Sequence, residues 1–320
     1  MLKIIDQTSV HFEELSAMQF GWEAEFTQLG PAERASRINL VRSDHVGICH
    51  FEFNSKFDQR MFVLPGFYSF GLLEPNTTRA MVQGETAPPG ALIAFPSQDE
   101  SHGVSSAGFH GNGIHFKGTY LEAIAETVFR TPLRFLVPNA RIYSLTGPLL
   151  SQLQGEMYKW RRMAEPGFPN TEALLAHREE ALSIAVLNGL RHSTEIHGTP
   201  FMSSDKVVML VLDYLHSESS EEITAVEMCT LANCSQSWLE HSFKKRFGVT
   251  PKKYVKYLRL SRLRENLLNP DENEGRTVIE LASVYGFWHM GQLAADYRNV
   301  YGELPSDTLR RHLNTDIEHQ

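Results

Sequence analysis

The densest chemistry in this chain is cationic. Between Lys244 and Arg264 stand nine basic residues and no acidic one: Lys244, Lys245, Arg246, Lys252, Lys253, Lys256, Arg259, Arg262 and Arg264. In a chain of net charge −8, such a block suits either a phosphate-facing surface or a solvated helix face. The other reactive groups are dispersed. Cys229 and Cys234 show C-x4-C spacing, but no His or Cys stands near them at zinc spacing, so both read as structural. His45, His50, His102, His110 and His115 occur in the first half, and no two are spaced His-x-His. On one strand, His110 and His115 would face opposite sides. No glycine-rich phosphate loop, nucleophile elbow or carboxylate pair stands out. The reading is therefore no catalytic residue, no metal and no cofactor.

A repeat positions the basic block. "TAVEMCTLANCSQSWLEHSFKKRFGVTP" from Thr224 matches "TVIELASVYGFWHMGQLAADYRNVYGELP" from Thr277, with one extra turn residue in the second copy. Each copy opens on Thr-x-x-Glu, a capping box in which the Thr hydroxyl accepts from the third helical amide and the Glu reaches back. A short helix is predicted to run to about Ala232 or Tyr285, with Asn233 or Gly286 in the left-handed turn. A second helix starts near Ser235, a good N-cap, or near His289. Leu239/Phe243 and Leu293/Tyr297 stand four apart and share a face, and Gly248 and Gly302 stop the helix. These are two helix-turn-helix units. Between them, "PKKYVKYLRLSRLRENLLN" reads as one linking helix with Tyr254, Val255, Leu258, Leu263 and Leu267 as its apolar stripe. Asn269-Pro270 ends it, and "DENEG" is a polar loop.

Residues 37–118 read as short strands: "RINLVRSDHVGICHFEF", "QRMFVLPGFYSFGLL", "RAMVQG", "ALIAFPS" and "GNGIHFKG". Their spacing fits a small antiparallel barrel or jelly roll. Helices follow in "YLEAIAETVFR", "LTGPLLSQLQGEMYKWRRM" and "TEALLAHREEALSIAVLNGLR". The last carries a wide apolar face of Leu174, Leu175, Leu182, Ala185, Val186 and Leu190, for packing on the barrel or for a dimer interface. "HSTEIHGTPFMSSD" lacks periodicity and reads as a linker. The expected class is α+β, with an N-terminal domain at 1–190, a linker at 191–204, an all-α domain at 205–312 and a tail at 313–320. Three cysteines and the absence of a long apolar run place the chain in a reducing cytoplasm, off the membrane.

The double unit, with "HSFKKRFGVTPKKYVKYLRLSRLRENLL" and "TVIELASVYGFWHMGQLAADYRNVYGELPSDTLRR", resembles the AraC/XylS family of bacterial transcription regulators over about residues 205–312. The "GFWHMGQ" stretch resembles a branch that includes the ethanolamine-utilisation regulator, and a looser likeness extends to "GWEAEFTQLGPAERASRINLVRSDHVGI". The resemblance implies double-stranded promoter DNA as partner, RNA polymerase as a second, a small-molecule effector in a cupin-like N-terminal domain, and a homodimer. It also implies that each second helix enters a major groove.

The candidate DNA-facing residues are then Ser235, Gln236, Ser237, Glu240 and His241, followed by Lys244, Lys245 and Arg246 for phosphates. Glu240 suits a cytosine amino group and Gln236 an adenine. The second unit offers His289, Met290, Gln292 and Arg298. Its Gly291, Ala294 and Ala295 hold few hydrogen-bonding groups, so weak readout through thymine methyl or shape is expected there. Phe287 and Trp288 are expected to plug the turn against the linking helix, with DNA contact as the alternative for Trp288. His289 would cap its helix or meet phosphate. Phe62, Tyr68 and Phe70 are the candidate effector residues. Metal cupins, as the resemblance implies, bind through His-x-His plus Glu and another His, a pattern missing here. Two further readings stay open: a metal-dependent cupin enzyme with an appended helical domain, and an effector-free protein whose barrel only dimerises.

Overall fold

The computed structural model describes residues 2–9, 20–32, 35–78, 80–82, 84–95, 100–137, 141–169, 171–196, 203–217, 223–269 and 275–315. Its strands are β1 (Lys3–Ser9), β2 (Trp22–Gln28), β3 (Ser36–Arg42), β4 (Val46–Phe53), β5 (Phe57–Val63), β6 (Phe67–Leu73), β7 (Ala80–Val82), β8 (Glu85–Ala87), β9 (Ala91–Phe95), β10 (Glu100–Ser105), β11 (Phe109–Lys117), β12 (Arg141–Ser144) and β13 (Thr194–Ile196). They form an eight-stranded sheet, ordered β1-β3-β4-β11-β6-β9-β12-β13, and a five-stranded sheet, ordered β2-β5-β10-β7-β8. The barrel or jelly roll foreseen from the strand spacing is thus two antiparallel sheets.

Side-chain alternation explains what each face does. Ile114 of β11 lies opposite Ile48 of β4 and Phe70 of β6. All three are buried against helices α1 (Gly118–Phe129), α2 (Gly147–Arg162) and α3 (Glu172–His192). Leu182, Ala185, Val186 and Leu190 of α3 are consumed by this core, so along that stretch the helix face packs on the sheet. Trp160 of α2 is fully buried and donates its Nε1–H to the Val41 carbonyl at 2.9 Å.

Some strands lie outside the expected span. β1, β2 and β12 fall beyond residues 37–118. Most of β1 is exposed, which removes the alternation that marks a half-buried strand. The linker expected at 191–204 also needs correction. Thr194–Ile196 pairs with β12, Ile196 opposite Ile142, because three extended residues suffice to close a sheet edge. Residues 197–202 of that linker lie outside the described residues, as does the 270–274 part of the polar loop.

The chain divides into two compact units: Met1–Glu25 with Ala35–Asn54 and Gln59–Gly198, then Phe26–Arg34 with Ser55–Asp58 and Thr199–Gln320. Among the described residues the second holds α4 (Ser203–Ser217), α5 (Ala225–Leu231), α6 (Gln236–Phe247), α7 (Pro251–Leu268), α8 (Val278–Val284), α9 (Met290–Tyr301) and α10 (Pro305–Thr315). The expected stripe of α7 is buried at Tyr254, Val255, Leu258, Leu263 and Leu267. Tyr254 donates its hydroxyl to Asp58 Oδ2 at 2.6 Å. No described helix is long and apolar enough to cross a membrane.

Candidate nucleic-acid interface

Both repeat copies close the capping box that their Thr-x-x-Glu spells. Thr224 N–H donates to Glu227 Oε2 at 2.7 Å, and Glu227 N–H donates to Thr224 Oγ1 at 3.2 Å. The Thr277–Glu280 pair repeats this at 2.7 and 3.3 Å. The donated backbone amides hold both exposed carboxyls below the usual carboxylate range. The turns follow at Asn233, φ 46°, and Gly286, φ 72°. Asn is among the few side chains that visit this region routinely. Ser235 Oγ accepts from Trp238 N–H at 3.3 Å and starts α6. His289 stands at the N-cap of α9, but its side chain makes no capping bond. Capping is therefore not its role.

Burial of Leu239 and Phe243 in α6, and of Leu293 and Tyr297 in α9, turns the opposite faces outward. Ser235, Gln236, Ser237, His241, Lys244 and Lys245 are exposed, with Glu240 half-exposed among them. Gln236 Nε2 donates to Glu240 Oε1 at 3.1 Å, and Lys244 Nζ lies 3.7 Å from Glu240 Oε2. Each partner is one helical turn away, so the carboxylate is held between an amide and a cation. Trp238 joins this face. It is 40% exposed and stacks on His241 at 6.0 Å. In the sequence, a Trp beside Leu239 carries no mark of exposure. Its spacing, one helical turn before His241, was the available signal.

The basic block divides under burial. Arg246 is only 3% exposed, which removes it from the phosphate-facing set. It lies on the same helical face as Phe243 and Phe247, and burial pulls its guanidinium below its usual value against the opposing charges of Asp58 and Asp205. Arg264 is fully buried, and its Nη1 donates to Glu303 Oε1 at 2.7 Å, Tyr297 Oη at 3.0 Å and Thr308 Oγ1 at 3.2 Å. Arg262 donates to the Leu215 carbonyl at 2.8 Å, and Lys256 pairs with Asp296 at 2.7 Å. Lys252 and Lys253 are exposed. They line a surface groove of about 870 Å³ with Lys256, Arg259, Trp288 and His289.

In the second unit His289, Gly291, Gln292, Ala295 and Arg298 are exposed, while Met290 and Ala294 are half-buried. Trp288 is 69% exposed, so it does not plug the turn. Tyr285 fills that seat: it is buried, and its hydroxyl accepts from Asn266 Nδ2. Phe287 is half-buried, with its N–H on the Ala282 carbonyl at 3.0 Å.

A second candidate site lies in the first unit, between the sheets. A cavity of about 90 Å³ is lined by Trp22, Phe51, Met61, Phe95 and Phe109, with Gln59, Ser69, Asn112 and His115 as polar neighbours. His115 is fully buried, and burial pulls its imidazole down to about 3, so it is neutral. Its ring stacks on Trp22 at 5.8 Å. Nδ1 lies 2.9 Å from Ser69 Oγ, and Nε2 has no hydrogen-bond partner among the described residues. A Cβ at position 113 would come within 2.6 Å of that Nε2, so the absence of a side chain at Gly113 leaves room for the ring. Phe62 lines the cavity. Tyr68 and Phe70 do not: they face the helix-covered core, where Phe70 is fully buried. One residue of strand parity separates the two faces.

Comparison with known proteins gives the following likenesses. A family model described as a helix-turn-helix domain matches residues 228–311. XylDLEGF operon transcriptional activator 3 of Pseudomonas putida is 40% identical over 101 residues, 32% of this chain and 30% of the relative. The chain thus spans less than a third of that relative's length. XylDLEGF operon transcriptional activator 2 of Pseudomonas putida is 33% identical over 120 residues, 38% of this chain and 76% of the relative. Among solved structures, a probable AraC family transcriptional regulator from Rhodopseudomonas palustris CGA009 shares 30% identity, covers 33% of this chain and 97% of its own, and has a TM-score of 0.31.

Proposed function

We propose, from the premise that this chain belongs to the AraC/XylS family of transcription regulators, that it binds promoter DNA by sequence and activates transcription under control of a small effector. The observation that carries this reading is the duplicated, capped helix-turn-helix, with the outer face of α6 presenting Gln236, Glu240, His241, Lys244 and Lys245. In this reading α6 and α9 enter successive major grooves about 34 Å apart on one face of the duplex. Glu240 and Gln236 read base edges, and Lys244 and Lys245 hold phosphates. His289, Gln292 and Arg298 serve the second groove, with Met290 at its edge and Trp288 added as an exposed apolar contact.

The same reading places effector binding and dimerisation in a cupin-like domain at 1–190 and DNA binding at 205–312, in a cytoplasmic protein that also touches RNA polymerase. The activator sense follows the names of the relatives. The effector would be a small, largely apolar molecule with one hydrogen-bonding group for His115 Nε2. The branch of the ethanolamine-utilisation regulator stays a proposal resting on "GFWHMGQ". A second reading, an effector-free dimeric regulator, is favoured by the size of the cavity. Its 90 Å³ is less than the roughly 150 Å³ of an engineered cavity that holds benzene.

The test is selection of DNA from a random duplex pool by the full-length protein, repeated with Glu240→Ala. Two enriched boxes about one helical turn apart support the regulator, and loss of preference in one box on Glu240→Ala assigns α6 to it. No enrichment, with or without a metabolite extract, would sink the reading.

A further inference from the structure

The helix-covered face of the eight-stranded sheet changes character along its strands. One row across β3, β4, β11 and β6 is Val41, Ile48, Ile114 and Phe70, all buried. Two residues along, the row is Asn39, His50, Asn112 and Leu72. Two further on, it is Arg37, Glu52 and His110. Residues two apart on a strand share a face. His50 and Glu52 of β4 therefore converge with His110 of β11, which lies directly opposite Glu52. All three are half-buried, and their donor atoms lie within 4.8 Å of one another.

Hydrogen bonding decides which His50 nitrogen is free. Asn112 Nδ2 donates to Glu74 Oε1 at 2.7 Å, which turns the Asn112 Oδ1 to His50 Nδ1 at 3.0 Å. An amide oxygen only accepts, so Nδ1 carries the proton. In a neutral ring Nε2 then bears a lone pair, and it lies 3.4 Å from Glu52 Oε1. Acceptor faces acceptor there, and a cation belongs between them. A proton on Nε2 would satisfy that pair alone. The second imidazole at the same point, His110, favours a metal ion. Arg37, opposite Glu52, is held away by two bonds to Asp6 at 3.0 and 2.7 Å. A ligating His typically donates its other N–H to an oriented acceptor, as His50 does to Asn112.

We propose that His50, Glu52 and His110 form a binding site for a divalent transition-metal ion of the zinc type, with three protein ligands and one open position. None of the three ligands lines the cavity, although Asn112, which orients His50, does. The ion would clamp the C-terminal end of β4 to the N-terminal end of β11. The expectation of no metal rested on spacing within one strand, and this site is built across two.

The test uses the full, untagged chain, stripped with chelator and titrated with Zn²⁺ by calorimetry and with Co²⁺ by absorption. A single tight equivalent is expected, with a tetrahedral Co²⁺ band and a Tm that rises with metal. His50→Ala, His110→Ala and the near-isosteric Glu52→Gln should each weaken binding at least about 10-fold. Asn112→Ala, which supplies no ligand atom, should weaken it about 10–100-fold. The metal-free Tm of each variant separates lost binding from lost folding, and Glu52→Gln decides where an alanine variant unfolds. A combined Cys229→Ser and Cys234→Ser change should leave the equivalent intact. Absence of a tight equivalent, indifference to Glu52→Gln and His110→Ala, or loss with the cysteine change would overturn the site.

Discussion

Burial sorts the cations of this chain into two roles. Lys244 is exposed, so Lys244→Ala should weaken DNA binding evenly across sequences and lower the salt slope by about 1. Fluorescence titrations at several salt concentrations measure it. Glu240→Ala should instead cost about 1–3 kcal/mol of discrimination at one base pair, read by competition between the selected site and point variants. Arg264 is different in kind. It is fully buried on Glu303, Tyr297 and Thr308, and its removal leaves the Glu303 carboxylate without that partner. Arg264→Ala should destabilise the second unit by about 3–5 kcal/mol, measured by urea unfolding; a value within experimental error of zero would refute the structural role. Nothing in the run of basic letters separates Lys244 from Arg246 or Arg264. That distinction is set by which helix face meets a neighbour.

Elements were legible where their signals are local. Both capping boxes, the Asn233 and Gly286 turns and the Gly248 and Gly302 stops stand where residue type and spacing put them. The capping residues act within four positions of themselves, so no tertiary knowledge is needed. Thr224→Ala should cost about 1 kcal/mol. The same caps carry a pH signature. Glu227 and Glu280 have folded-state values below the ordinary 4.5, so the unfolded chain binds the proton more tightly. Their contribution is complete above 4.5 and is lost as pH falls through the lower folded values. The Tm gap between wild type and a Glu227→Gln, Glu280→Gln variant should close as pH falls below 4.5 through the lower folded values; a gap that widens would contradict the capping role. Strands were less legible. β1 is mostly exposed, and β13 is three residues long, so neither carries a usable period.

At the scale of the whole molecule, His115 ties stability to the cavity. Burial takes it from 6.5 to about 3, so the unfolded chain binds a proton that the folded chain refuses. Stability should therefore fall as pH drops from about 6.5 toward 3, by up to about 1.36 kcal/mol per pH unit. His115→Phe should remove that slope in Tm measured against pH. The neutral ring also predicts ligand binding that does not vary between about pH 5 and 8. A ligand at about 100 times its Kd should add about 2.7 kcal/mol, and His115→Phe should abolish the shift.

What the sequence determined by itself was the pair of helix-turn-helix units, because capping, helical periodicity and left-handed turns are written in neighbouring residues. The family likeness rested on the same stretch. What only the tertiary structure decided was every feature that depends on strand parity or cross-strand register. Phe62 reaches the cavity while Phe70 turns to the helix-covered face, His115 faces the cavity while His110 shares the face of Ile114, and His110 lies opposite Glu52. A shift of one residue in pairing would reverse each of these. Register is set by long-range burial, which no local run of residues records.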